Sequence, residues 1–426
     1  MKNRNYLLFY IFIIFLLLAC GGGENGVESN PEPEVNLPPA NFSLLEVANN
    51  EINVTLNPEL KWETARDPNS DNVTYDVLLD DNSQNPSTII ASNLQTTNLL
   101  LDVSLQFNTS YSWKVIARDS KGATANSEIF SFNTRDLKIV LATNSGSFST
   151  RTEHGFVKFK NKMWIVGGYH ASNGGVNGGL LNDVWSSSDG INWREEVANN
   201  LPNSFPSRTD HSVTVFKDKI WIIGGGGINS ILNDIWSSID GINWVQETDD
   251  ATFSKRSGHT CVVFNNKIWI IAGSNQNGQL LDDVWSSSDG TNWILEADNT
   301  PFLSRFDHTS VVFNDKIWII GGYSTDRSND VWSSVDGVNW IAQTVNAGFS
   351  KRRGHSSAVY KDKMWVIGGE LLNDIWSSSD GINWKKEIQN ASFPGRGNQA
   401  TTLFDNKIWI AGGWMGSLLN DVWYLE

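Results

Sequence analysis

Six arginines, six aspartates and five histidines recur in this chain at matched offsets, and most of its capacity for chemistry lies in them. The arginines are Arg151, Arg208, Arg256, Arg305, Arg352 and Arg396; the aspartates are Asp183, Asp234, Asp283, Asp330, Asp374 and Asp421. Equal stoichiometry suggests bidentate guanidinium–carboxylate pairs, structural bridges of which Arg208 with Asp234 and Arg305 with Asp330 are examples. The sharper alternative is a ring of cations holding an anionic ligand. His154, His211, His259, His308 and His355 each stand three residues after an arginine, and Gln399 takes the sixth place. A metal–ligand bond is only about 2 Å long, so positions spread once per repeat do not converge on one ion. They read as core histidines, and only His170 lies outside the frame. Cys261 sits in an apolar strand and reads as core. No metal and no cofactor is implied.

The elements that position these residues follow from the repeat. One unit runs Phe302, Arg305, His308, an apolar strand to Ile320, Gly321 and Gly322, then Asn329 to Trp332 and Asp336 to Trp340. Successive histidine positions are 57, 48, 49, 47 and 44 residues apart, which suits four-stranded units with loops of unequal length. Twenty tryptophans recur mostly with this period and read as packing between units, Trp236 among them. Asp189 with Gly190 and its four equivalents read as two-residue hairpins. That register places Trp185 and Trp193 on opposite faces of a sheet.

Glycine pairs end the apolar strands at Gly167, Gly224, Gly321, Gly368 and Gly412, with Ala272 and Gly273 departing from the pattern. Followed by two spaced aromatics, this arrangement resembles the kelch repeat. The resemblance implies an all-β fold, a six-bladed β-propeller over residues 137–426. The sixth unit ends at Glu426 without an outer strand, and residues 137–142 fall in the register to supply it, closing the ring and removing an open edge. The segment from Ser187 to Trp193 is also similar to the Asp-box of sialidase propellers, a structural turn.

The N-terminus is a second signal: Lys2 and Arg4, an apolar run to Leu18, then Ala19, Cys20 and three glycines. Residues 1–19 resemble a bacterial lipoprotein signal peptide, which implies lipidation of Cys20 and an outer-membrane location, periplasmic or surface-facing. Residues 20–39 are an acidic, proline-rich tether. Residues 40–135 read as short alternating strands, and Trp62, Tyr111 and Trp113 resemble a fibronectin type III β-sandwich, with Tyr111 as its corner tyrosine. Asp67, Asp71 and Asp76 pose the alternatives of a calcium cluster or a solvated turn. A net charge of −15 leaves no basic stripe for nucleic acid.

Function is expected where the repeat is broken, in the segments after the glycine pairs. Tyr169, His170, Asn229, Asn275, Tyr323, Asp326, Arg327, Glu370 and Trp414 are the candidate ligand-binding residues, with Asn173 and Asn177 in the same loops. Aromatics with amides and charges suit a glycan or a protein ligand held without catalysis. An enzyme on the same scaffold is the alternative. Galactose oxidase resembles this chain in its propeller, but its Tyr–Cys copper chemistry would have only Cys261 to draw on. A sialic acid mutarotase matches the blade number, although no catalytic residue stands out.

Overall fold

The computed structural model describes residues 34–171, 179–201 and 204–426. Cys20, the leader, the first part of the tether, Asn173 and Asn177 lie outside the described residues. Among the described residues every regular element is a strand. The chain forms two compact units, one holding the residues up to Ala48, Leu60–Leu99 and Ser112–Phe130, the other Asn49–Glu59, Leu100–Tyr111 and Ser131–Glu426.

In the first unit Trp62 and Tyr75 meet edge to face at 5.6 Å, and the Tyr75 hydroxyl accepts the Ala65 N–H. Asp67 Oδ1 caps its own turn by accepting the N–H groups of Asn69 and Asp71. The acidic group here is Asp67, Asp71 and Asp119, not Asp76, which faces Arg118 instead. The Lys121 ammonium stands 2.9 Å from Asp71, so a cation is already built into the cluster. In the second unit the Tyr111 hydroxyl accepts the N–H of Gln106, five residues upstream.

The rest of the second unit repeats one sheet plan six times among the described residues. The fourth sheet shows it: Thr309–Phe313, Lys316–Tyr323, Arg327–Ser334 and Ile341–Thr344, antiparallel throughout. The first two strands turn through Asn314 and Asp315, both at positive φ (47° and 55°), as a two-residue hairpin of matching twist requires. Innermost strands touch in sequence order, and the sixth touches the first. In the last sheet the outer position is filled from the start of the unit: Ile139–Thr143 pairs with Val422–Leu425, with Leu141 opposite Trp423 as Glu195 is opposite Trp185.

The Asp-Gly segments depart from the hairpin expectation. Ser186 opposes Arg194, not Trp193, so the connection is longer than two residues. Asp189 Oδ1 accepts the N–H groups of Ile191 and Asn192, Oδ2 accepts the Asn192 amide, and the Ser187 hydroxyl accepts the Gly190 N–H. A carboxylate, not a strand ladder, organises the turn. Glycine is required for a further reason: at Gly241 (φ 78°) a β-carbon would lie 2.3 Å from the Trp164 ring of the adjacent sheet.

This geometry also overturns the opposite-face reading of the tryptophans. Trp285 and Trp293 both pack on Phe253, at 6.3 and 5.3 Å, between the second and third sheets. The other neighbour is served by Trp269 on the second strand. Trp236 is half-buried rather than core, and its indole N–H donates to Asp234.

The arginine–aspartate pairs lock each sheet to itself and to its predecessor. Arg305 Nη1 and Nη2 donate to the two oxygens of Asp330 at 2.8 Å, and Nη1 also donates to the Gly321 carbonyl. The guanidinium lies over Phe302, and Trp332 donates its indole N–H to the same carboxylate. Meanwhile the Arg305 backbone bonds Leu281 and Gly273 of the preceding sheet. All six arginines repeat this arrangement and are buried. With Nε on the Leu303 carbonyl, four of the five N–H groups of Arg305 are spent within the frame, and burial closes the guanidinium to a ligand.

Candidate functional site: the acidic collar and its outer cavity

Each glycine pair is squeezed between two histidine frames. A β-carbon on Gly225 (φ 103°) would lie 2.6 Å from Cβ of His211 in its own sheet. One on Gly224 (φ 55°) would meet the His259 ring of the next sheet at 3.3 Å. Ala272 keeps the same left-handed backbone, φ 54°, with its methyl group fully buried. Gln399 reveals the duty of the histidine position: its Nε2 donates to the Ile367 carbonyl and to Ser356. The neutral His355 ring takes the same place against the Ile320 carbonyl. Burial first, and the neighbouring arginine second, depress the histidines, His211 and His355 to about 3.

The residue before each histidine forms a ring that the sequence reading did not single out. Glu153, Asp210, Gly258, Asp307, Gly354 and Asn398 all adopt φ between 52° and 61°. Asp210 N–H donates to the Glu153 carbonyl, Gly258 to Asp210, Asp307 to Gly258, Gly354 to Asp307, Asn398 to Gly354, and Glu153 to Asn398, all within 2.7–3.2 Å. Six backbone hydrogen bonds thus close a circle. The available signal was compositional: Asp, Asn and Gly are the residues that tolerate left-handed backbone, and only Glu153 is out of place.

Three carboxylates therefore converge on the collar. Asn398 donates to Glu153 Oε1 and Thr209 to Oε2. Asp307 has Arg353 at 3.7 Å. Burial, followed by the charges of Glu153 and Asp307, holds the Asp210 carboxyl well above its ordinary range. Asp307 rises to about 7, mainly through burial, with Arg353 opposing and Glu153 and Glu370 adding.

Cavities lie against both sides of this collar. One, about 270 Å³, is lined by the histidines, Gln399, Cys261 and hydroxyls of the inner strands. Cys261 thus lines a channel besides packing on the apolar cluster, and burial pushes its thiol up to about 12. The other, about 540 Å³, opens beyond the collar and is walled by Tyr169, Phe306, Arg353, Glu370, Leu371, Trp414 and Leu418. Glu153, Asp210, Asp307 and Asn398 line both.

Of the residues expected to bind, Tyr169, Glu370 and Trp414 wall the outer cavity. Tyr323 stands behind it, edge to face with Phe306 and under the Arg353 guanidinium. Arg327 reaches Glu370 at 3.2 Å, and Asp326 faces Arg327. Three fall elsewhere. His170 is turned back onto the Thr150 carbonyl, Asn229 is exposed at a turn closed by Gly227 and Ser230, and Asn275 is spent closing its own turn with Gln279.

Residues 117–294 and 258–426 match the KLHDC2/KLHL20/DRC7 Kelch-repeats domain. The chain belongs to the kelch-repeat family. No curated protein matches it. Kelch membership accounts for the four-stranded sheets and assigns the glycine pairs to a β-propeller, whose domains generally bind proteins or other ligands. In this kelch propeller the frame shared by every sheet is consumed by its own bonds, and unspent polar groups collect at the collar.

Proposed function

We propose that this is a six-bladed kelch propeller that binds a glycan or protein ligand in its outer cavity, without catalysis. The observation supporting this reading is the cavity itself: aromatic walls at Tyr169, Phe306 and Trp414 around a floor of charged and amide groups. Flat rings supply stacking area and the polar floor supplies orientation. The proposal extends to the whole chain. Cys20 is lipidated, residues 20–39 tether the protein to the outer membrane, and a fibronectin type III-like sandwich over residues 40–135 spaces the propeller from it. The Tyr111 hydroxyl on the Gln106 N–H supports the sandwich. Metabolic labelling with a palmitate analogue tests the anchor, and loss of label in Cys20→Ser is the expected result.

The binding reading is tested with the full chain on a glycan array and in protein capture, beside isomerase assays on acidic sugars. A ligand bound without turnover, and weakened at least tenfold by Trp414→Ala, is the expected outcome; Tyr323→Ala weakens it less, through Arg353. Affinity unchanged in both variants would move the site off this cavity, and turnover dependent on a collar carboxylate would make the protein an enzyme.

A further inference from the structure

The collar has more acid than the scaffold needs. The backbone circle asks only for left-handed conformations, and Gly258, Gly354 and Asn398 meet that demand without charge. Glu153, Asp210 and Asp307 nevertheless place three carboxylates there, against one nearby cation, Arg353, which Glu370 already engages at 3.2 Å. Arg327 is likewise held by Glu370. A second observation points the same way. On the channel side, Gln399 Oε1, His308 Nδ1, His355 Nδ1 and both ring nitrogens of His154, His211 and His259 belong to side chains more than nine-tenths buried and have no hydrogen-bond partner. The amide oxygen is an acceptor awaiting a donor, and each neutral imidazole offers one acceptor nitrogen beside its N–H. Beyond the collar, Trp414, Leu371 and Tyr169 stay 46, 47 and 39% exposed, a large apolar rim around an acidic floor.

We infer that the cavity takes a cationic side chain of a polypeptide, lysine or arginine, whose charged head sits on Glu153, Asp210 and Asp307 while its stem and flanking residues lie against Trp414, Leu371 and Tyr169. The inference rests on the proposed outer cavity and names its ligand class. An ammonium or guanidinium brings several donors and no acceptor, which is what a floor of acceptors selects. Aromatic walls add attraction for a cation, and an exposed apolar rim suits a protein surface. Burial first, with the neighbouring carboxylates adding, favours the protonated forms of Asp210 and Asp307, so a cation enters by displacing those protons. The groups facing the site are Glu153, Asp210, Asp307, Glu370, Arg353 and Arg327, with His154, His211, His259, His308 and His355 lining the channel beneath. The histidines are neutral throughout the range in question because burial depresses them. Ionisation of Asp307 and Asp210 therefore sets the sign, and affinity rises with pH through about 7.

The test uses the full chain and nine-residue peptides with randomised flanks and a central lysine, arginine, norleucine or glutamate. At pH 8 the lysine or arginine set is expected to be captured at least tenfold better than the norleucine set, with the margin shrinking several-fold at pH 6 and in 0.5 M salt. Whichever of the two cations is preferred identifies the head group. Asp210→Asn keeps a residue suited to φ 52° and is expected to abolish the preference without lowering the melting temperature; Asp307→Asn serves if that variant misfolds. A preference lost in Asp210→Asn but kept in Trp414→Ala would support the cation site while taking the rim out of the proposed function. Equal capture of lysine and norleucine sets, preference for glutamate, or a preference that grows toward acid would overturn the inference. A ligand bound on the rim without charge preference would do so while leaving the broader binding reading intact.

Discussion

The turns at the sheet periphery and the segments that follow the glycine pairs are both short connections between strands, yet they have opposite fates. At Asp189, Asp240, Asp289, Asp336 and Asp380 the peripheral turn is the same five times, down to the carboxylate bonding two N–H groups and an asparagine amide. The segments after the glycine pairs share no such plan: one is a stub at Glu370 and Leu371, another an asparagine-closed turn at Asn275. Identity is kept where a residue's partners are themselves repeated, and variation is allowed where the partner is solvent or ligand. The histidine frame and the collar restate the contrast one residue apart.

Acidification strikes the repeated frame hardest, because five histidines respond together. Their folded values lie below the ordinary 6.5, so the stabilisation is complete above that value and is lost as the pH falls toward about 3. The collar has the opposite sign: Asp307 and Asp210, raised in the folded state, cost stability as the pH rises through about 7. A urea titration from pH 4 to 9 should therefore show maximum stability near neutrality with a steep acid limb, and a flat acid limb would mean the imidazoles are not buried neutral.

Arg305→Ala is next, at about 3–5 kcal/mol, since it strands the Asp330 carboxylate in a mostly buried site. Arg327→Ala, on an exposed pair, should change stability by less than about 0.5 kcal/mol. Denaturant midpoints for both variants test the division between frame and decoration, and equal losses would erase it. A glycine pair gives the same comparison. Gly225→Ala drives a methyl group into His211 at φ 103° and should cost more than about 2 kcal/mol, whereas Gly416, at φ 95° with open space around it, should lose about 1 kcal/mol from backbone strain alone.

How much of this was legible depended on whether a residue's role was set by the repeat or by its neighbour in space. The kelch pattern of glycine pairs and tryptophans could be read because it recurs. The supplementary strand could be read because Ile139 keeps the distance to Phe148 that Trp244 keeps to Phe253. The Asp-Gly turns were misread as hairpins because the deciding contact, Gly241 on Trp164, joins adjacent sheets through residues far apart in sequence. The hairpins are at Asn314–Asp315 and its equivalents, where lysine often takes the first place and hides the signal. At the site, Tyr169, Glu370 and Trp414 were visible as breaks in the pattern. Glu153, Asp210 and Asp307 were not, because they stand inside the frame and matter only once the ring brings them together.

Trp236 carries a smaller stake. Its ring is half-buried and its indole N–H satisfies Asp234, so Trp236→Ala should cost about 2 kcal/mol, below the roughly 3–5 kcal/mol expected for the fully buried Trp365. Thermal melts of the pair test whether repeated tryptophans divide into core and edge, and equal shifts would mean they do not.

The least disruptive change is also the most discriminating. Gln399 occupies the histidine position of the sixth sheet and makes the strand bond with an amide, so His355→Gln should fold with less than about 1 kcal/mol lost at pH 7.5. His355 Nε2 also meets the Thr309 hydroxyl, and a glutamine amide can take up that contact as Gln399 takes up Ser356. Because an amide does not titrate, the variant should lose less stability than the parent between pH 6.5 and 4, and the two curves should converge or cross. If the variant is as acid-sensitive as the parent, protonation of His355 is not what acid exploits; if it unfolds at neutral pH, the imidazole supplies something beyond a neutral donor.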